Sequence, residues 1–410
     1  MRPPLRLCEH RPREGIRLST IERDLLRELV PDMGISPMPG ERDMYTLTPS
    51  STVGVVRIGD LAIEIRPKVE VAKAMFLLTY GLEAHRWPET GFDFQEEHSL
   101  VEAIVPGFLH QIDLAVRGGL LQGYRQEEDA LQTVRGRIRI DEQLKRRFGI
   151  APPIEVAFDE YTEDIDENRL IKGALDRLRR MPLRWAEGRR RLRRFDALLE
   201  RVSPMEFDPR NLPEIVYTRL NERYRGAVEL AKLILRSTAY EMHHGGIAGA
   251  AFLVDMNTVF ENFVVVALRE SLRLDARSFP QGARGKRLRL DRAGVVPLQP
   301  DISWWADKSC LFVGDVKYKR TARSPDLHDH HNPDLYQLLA YLIAADLPEG
   351  MLIYAAGEAE PLVHEVVHVG KRLRVVTLDL GQEPSDILRR IDDIAHAIRQ
   401  LARQAVLRAA

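Results

Sequence analysis

Asp301, Asp315 and Lys317 are the residues whose types and spacing could do chemistry. In QPDISWW, Asp301 opens an apolar run, and fourteen positions on, SCLFVGDVKYK sets Asp315 and Lys317 two apart. In a strand, period-two alternation turns both side chains to one side, while Gly314, Val316 and Tyr318 face the other way into packing. Gly314 is expected to leave the backbone open beside the carboxylate. Two carboxylates and an ammonium converging at a sheet edge are the groups that phosphodiester hydrolysis needs. Hard carboxylate oxygens would hold Mg²⁺, the ion would offset charge in the transition state, and the lysine would position the attacking water. A bare D-x-K also recurs by chance as strand-end aspartates with a surface lysine, so the flanking elements must decide.

Upstream, VDMNTVFENFVVVALRES reads as a helix over about 256–273. It sets Asn257 and Glu261 one turn apart on a face away from Phe260, Phe263 and Ala267, where Glu261 could reach the same metal. Downstream, HNPDLYQLLAYLIAADL reads as a helix over about 333–346, with Asn332 as N-cap and Pro333 at its first position. It stacks Gln337 and Tyr341 at i and i+4, a polar pair on an otherwise apolar helix. Around these helices the pattern gives strands over about 286–290, 299–305, 309–319, 351–356 and 362–378, then an amphipathic helix over about 384–407. That is an α/β order with a short central sheet.

The rest of the chain is a mixed α+β region. Residues 46–69 hold two β-branched runs around Gly59-Asp60, a hairpin with Val55, Ile58, Ile63 and Ile65 inward. Residues 72–82 read as a helix closed by Gly81. Residues 131–140, LQTVRGRIRI, alternate like a strand, and residues 167–180 place Leu170, Ile171, Ala174, Leu175 and Leu178 on one helical face. The region is expected to be β-rich to about 140 and mainly helical over about 160–240. The glycine-rich HHGGIAGAA (243–251) is the expected boundary, giving parts 1–245 and 246–410. Arg189, Arg190, Arg191, Arg193 and Arg194 read first as a solvated helical face and second as a phosphate contact.

Bulk properties set limits. The 60 Lys and Arg nearly cancel 61 Asp and Glu for a net charge of -1, so attraction to a polyanion must come from local patches. With Cys8 and Cys310 alone, a disulfide framework and a cysteine zinc site are excluded, which suits a reducing, cytoplasmic setting. The start lacks the apolar core of a signal peptide, and no stretch reaches the roughly 18 apolar residues of a membrane span.

Three features compete with the acidic pair. HEVVH (364–368) has the letters of a zinc hydrolase, but its β-branched flanks read as a strand, where residues four apart lie roughly 13 Å from each other. His328, His330 and His331 read as a surface loop beside the proposed site. Trp304 and Trp305 read as core packing for at least one of the two, ahead of base stacking.

VDMNTVFENFV (254–264), PDI (300–302), GDVKYK (314–319) and DLYQLLAY (334–341), in this order and spacing, resemble the McrC family, the nuclease subunits of McrBC modified-cytosine restriction systems. The segments VGVVRIGDLAIEIRPKV, TVRGRI and FDEYTEDIDENRLIK are similar to McrC relatives as well. The resemblance implies a C-terminal PD-(D/E)xK, restriction-endonuclease-like domain with Asp301, Asp315 and Lys317 as catalytic residues and Glu261 as a helix-borne acid. Gln337 and Tyr341 would match the Q-x-x-x-Y helix of related nucleases, which supports the active site or the DNA. The expected metal ligands are Asp301, Asp315, Glu261 and the Val316 carbonyl, around Mg²⁺ or a substituting Mn²⁺. The resemblance also implies double-stranded DNA with modified cytosine as substrate and a McrB-like AAA+ GTPase as partner. With no G-x-x-x-x-G-K-[ST] loop, this chain is expected to bind no nucleotide itself. A second reading makes it chiefly a regulator of that GTPase ring, with cleavage secondary.

Overall fold

The computed structural model describes residues 4–81, 99–147, 152–181, 183–244, 247–282, 288–320, 332–356 and 362–409. The chain divides into two compact units. One comprises Met1–Val55, Asp60–Leu100 and Leu253–Ala410, and the other comprises Val56–Gly59 and Val101–Phe252. Phe252 and Leu253 fall in different units, and most of the first hundred residues group with the C-terminal part.

The first unit is built on a five-stranded mixed sheet. In order its strands are Ile302–Ala306, Ser309–Arg320, Glu349–Ala356, Arg372–Thr377 and Leu362–Glu365. The middle three run parallel, and the two edge strands are antiparallel to their neighbours. Parallel strands need both faces covered, and their residues accordingly read as apolar runs: Met351, Leu352 and Ile353 are all fully buried. Helix Met256–Leu272 packs on the face that carries Tyr318, with the Phe260 and Tyr318 rings 5.9 Å apart. Helix Asn332–Ala344 packs through Leu338, Tyr341 and Leu342 in one core cluster with Val313, Leu352 and Tyr354. Each of these aliphatic side chains contributes about 1.5–3 kcal/mol by leaving water. Helix Pro384–Ala409 lies against Met256–Leu272 and the Ser309–Arg320 strand.

The N-terminal segments of this unit add a hairpin and a helix. Strands Thr52–Ile58 and Leu61–Arg66 form the expected hairpin, with Val55, Ile58, Ile63 and Ile65 in the core and Leu5–Cys8 parallel to the second strand. Helix Val71–Gly81 packs on Met256–Leu272. Gly81 is the last described residue of that helix, and a Cβ on it would sit 3.3 Å from Asn262 Cβ and from the Phe263 nitrogen. Gly81 lets two helices approach closely. Ser19 and Glu22 form a reciprocal capping box on helix Thr20–Leu29, satisfying two backbone donors at its start.

The second unit joins a three-stranded antiparallel sheet to a helical group. Strand Ile154–Thr162 is central, between Gly123–Leu131 and the short Arg137–Ile138. The expected strand over 131–140 is thus only two residues long. The chain turns at Gly136 with φ +73, where a Cβ would lie 2.3 Å from the Ala157 carbonyl oxygen. Helix Asp166–Arg179 buries Leu170, Ile171, Ala174, Leu175 and Leu178 as its spacing predicts. In helix Ala186–Leu198, Arg190 pairs with Glu187, Arg191 with Asp113, and Arg189 donates to the Leu183 and Arg184 carbonyls. Most of the arginine run therefore serves its own unit.

Strand pairing involves the glycine-rich segment. Thr238–His244 and Ile247–Asp255 pair as an antiparallel hairpin, since its small residues suit a tight ladder as well as a loop. The expected single strand over 362–378 is two strands, Leu362–Glu365 and Arg372–Thr377, joined by a turn. His368 in that turn adopts φ 67, a left-handed conformation that breaks the extended run. Among the described residues no helix is long and apolar enough to cross a membrane.

Candidate functional site

The site is assembled by two neighbouring strands. Asp301 immediately precedes Ile302–Ala306, which pairs antiparallel with Ser309–Arg320 so that Ile302 faces Gly314. This register brings Asp301 beside the strand segment that carries Asp315 and Lys317. The Val316 N–H donates to Asp301 Oδ2 at 2.9 Å, tying the first acid to the backbone between the other two groups. Lys317 Nζ lies 3.8 Å from Asp301 Oδ2 and in ion-pair contact with Asp315 Oδ2. The structure thus brings together all three residues singled out by type and spacing.

Gly314 has a different reason from the expected one. A Cβ there would lie 2.7 Å from the Met351 carbonyl and 2.9 Å from Ile302 Cδ1, so the strands close over it. The backbone beside the carboxylate is crowded on that side, and the crowding fixes the strand that carries Asp315.

Burial sets the electrostatics. Asp315 is 0 % exposed, and neither of its carboxylate oxygens receives an aligned hydrogen bond. Removal from water, then the negative Asp301, push its carboxyl up to about 7, against the pull of Lys317. Burial also raises Asp301, opposed by the Val316 N–H and Lys317. For Lys317, burial works to lower the pKa, but the charges of Asp315 and Asp301 outweigh it and hold the ammonium above its usual value.

The flanking residues take unequal positions. Gln337 Nε2 donates to the Tyr341 hydroxyl at 2.6 Å, and that hydroxyl donates to the Gln299 carbonyl at 3.1 Å, two residues before Asp301. Tyr341 is buried, and burial together with the negative Asp315 raises its pKa. The pair therefore braces the segment leading into Asp301. Glu261 accepts from Gln281 Nε2 at 3.1 Å, and burial raises its pKa. Among the described residues no three Asp, Glu, His or Cys side chains gather closely enough to hold a metal. Glu261 stands beside the pair, near enough for the negative Asp315 to raise its pKa further and for Lys317 to oppose that. Asn257 is drawn away to the Ser51 hydroxyl, as part of the helix start capped by Asp255.

Gln281 was not singled out by sequence. Its amide also donates to Asn262 Oδ1 at 2.5 Å, and it bridges to Ile302, while the Gly282 N–H donates to the Asp301 carbonyl at 3.2 Å. One glutamine thus ties the helix bearing Glu261 to the strand after Asp301. The only sequence signal was a polar residue in the FPQG turn. Trp305 packs in the core, its indole N–H on Ser303 Oγ at 2.9 Å. His364 lies in a strand and His368 in the following turn, so the helix that a zinc hydrolase motif requires is missing from these described residues. His328, His330 and His331 lie outside the described residues.

The donor set fits a hard divalent cation. Two carboxylates offer oxygen ligands only, the buried Asp315 oxygens receive no aligned hydrogen bond besides the Lys317 ion pair, and Mg²⁺ is typically held by one or two carboxylates with waters filling its other positions.

Fold and site together define a mixed α/β protein with a buried acidic pair and a lysine on adjoining strands. The chain belongs to the McrBC 5-methylcytosine restriction system component family, whose model matches residues 47–355. Among solved structures, it is similar to a chain of a Thermococcus gammatolerans assembly described as a refined half-complex of McrB AAA+ hexamers with bound McrC. The match has a TM-score of 0.51 at 17% identity and covers 96% of this chain and 100% of that one. A chain from the cryo-EM structure of the Thermococcus gammatolerans McrBC complex matches with a TM-score of 0.41 at 19% identity, covering 66% of this chain and 88% of that one. A comparison with curated proteins finds no match.

Proposed function

We propose that this protein is the McrC-type, DNA-cutting subunit of a modification-dependent restriction system. Its proposed activity is Mg²⁺-dependent hydrolysis of phosphodiester bonds in double-stranded DNA with modified cytosine. The observation that carries the reading is the fully buried Asp315, its oxygens without aligned donors, beside Asp301 and Lys317. Keeping such a carboxylate out of water is costly, and the cost is offset when the site receives a cation.

In this reading Asp301 and Asp315 hold Mg²⁺, or Mn²⁺ in its place, with the Val316 carbonyl as a further ligand. The ion, when bound, neutralises charge developing on the phosphoryl oxygens and favours an ionised attacking water. Lys317 orients that water and stabilises developing negative charge, a role suited to an ammonium held protonated between two acids. Gln337 and Tyr341 keep the Asp301 segment in place, and Glu261 with Gln281 forms the flank. Site selection and translocation are assigned to a McrB-like AAA+ GTPase partner, which family membership makes the expected companion.

The test is cleavage of modified plasmid by the full chain with its GTPase partner, GTP and Mg²⁺. Asp315→Asn is expected to lose cutting while retaining the fold and the partner. Cutting that survives this substitution refutes the reading.

A further inference from the structure

Lys319 lies two residues beyond Lys317, where the strand changes its pairing. Lys317 is paired with Tyr354, yet Arg320 is paired with Ala356, so an extra residue is accommodated between them. Such irregularities re-aim side chains at strand ends. Tyr318 takes the buried side, under the Lys68 ammonium 3.5 Å from its ring centre, while Lys319 emerges with its side chain 43% exposed. Its ammonium sits 2.7 Å from Asp334 Oδ2 at the start of the helix that bears Gln337.

Two features make this pairing easy to exchange. Asp334 also accepts from the buried Tyr354 hydroxyl at 2.7 Å, and it occupies the first turn of a helix, where a negative charge is favoured. It therefore keeps its partners when Lys319 leaves. Lys319, being half-exposed, meets little desolvation cost in moving to another anion, and the nearly buried Asp334 it leaves retains the Tyr354 hydroxyl. Lys317 differs, because it is bound to both acids of the site.

We propose that Lys319 is a DNA-backbone contact, transferring its ammonium from Asp334 to a phosphate next to the one being cut. The inference rests on the nuclease reading for its substrate, but it concerns binding and not cleavage. At about 3.3 Å per strand residue, Lys319 stands roughly 7 Å along the strand from Lys317, a separation that serves a neighbouring phosphate and not the same one. The contact carries no sequence information and positions the strand for cutting.

The test is binding of a short fluorescent DNA duplex by the full chain in EDTA, where metal-dependent cleavage is off, across a series of salt concentrations. Lys319→Gln is expected to weaken binding several-fold and to reduce the slope of log affinity against log salt by roughly 0.9, the value for one lost phosphate contact. Lys319→Arg is expected to keep the slope. Asp334→Asn, which frees Lys319 without removing its charge, is expected to keep the slope and bind at least as tightly. An unchanged slope in Lys319→Gln overturns the proposal, as does absence of duplex binding by the unsubstituted chain. Failure of the nuclease reading is seen separately, as absent cleavage when Mg²⁺, partner and GTP are restored.

Discussion

Replacing Asp315 by Asn should make the metal-free protein more stable while removing its activity. In the native chain the carboxyl titrates near 7 in place of 3.8, because burial and Asp301 disfavour its charge. The native state therefore holds a proton that the unfolded state releases, and stability falls as pH rises from about 4 to 7. A shift of roughly three units corresponds to about 4 kcal/mol at full ionisation. Asparagine removes that cost, which already includes the pull of Lys317, but leaves a buried amide in its place, while Lys317 retains Asp301 at 3.8 Å. A net gain of about 1–3 kcal/mol is expected at pH 8, shrinking towards zero near pH 4, where the native carboxyl is protonated. Urea denaturation in EDTA at pH 8 and pH 5 measures it. Added Mg²⁺ should reverse the order, since only the unsubstituted chain gains from binding, by about 4.1 kcal/mol at a thousand times Kd. A variant that is less stable at pH 8 without metal, by an amount independent of pH, would refute the reasoning.

Further substitutions separate roles. Lys317→Met should lower single-turnover cleavage by about 10²–10³ while Mg²⁺ still binds in calorimetry, because it removes charge stabilisation and leaves both acids. Gly314→Ala should destabilise by about 1–3 kcal/mol in denaturant titration, since its methyl meets the Met351 carbonyl and Ile302. Gln281→Ala should cost about 0.5–1.5 kcal/mol in the same titration by releasing Glu261 and Asn262, and should slow cutting without changing duplex affinity. His364→Ala should leave cleavage and metal content unchanged, because its strand cannot bring His368 to a common zinc.

The central trio was legible because two local rules suffice for it. Strand alternation places Asp315 and Lys317 together, and a short hairpin brings back Asp301. The helix patterns around Phe260 and Tyr341 were legible for the same reason, as runs long enough for their period to show. What escaped depends on partners distant in sequence. The purpose of Gly314 lies in the Met351 carbonyl, and that of Gly81 in Asn262, neither of which local spacing reveals. Gln281 acts from a turn, where no periodicity marks it. Residues 366–371 were misjudged because β-branched residues serve ladders and turns alike, and pairing decides between them. Glu261 shares a helix face with Asn257 as its spacing requires, yet Gln281 and Ser51 draw the two side chains to different partners.

The most direct measurement is cleavage of methylated and unmethylated plasmid by the full chain with Mg²⁺, with and without the GTPase partner and GTP, using Asp315→Asn as control. Cutting of methylated DNA that requires Mg²⁺, partner, GTP and Asp315 is the predicted result. No cutting under any condition, with the partner's GTP turnover still stimulated, would contradict the account and make the chain a regulator.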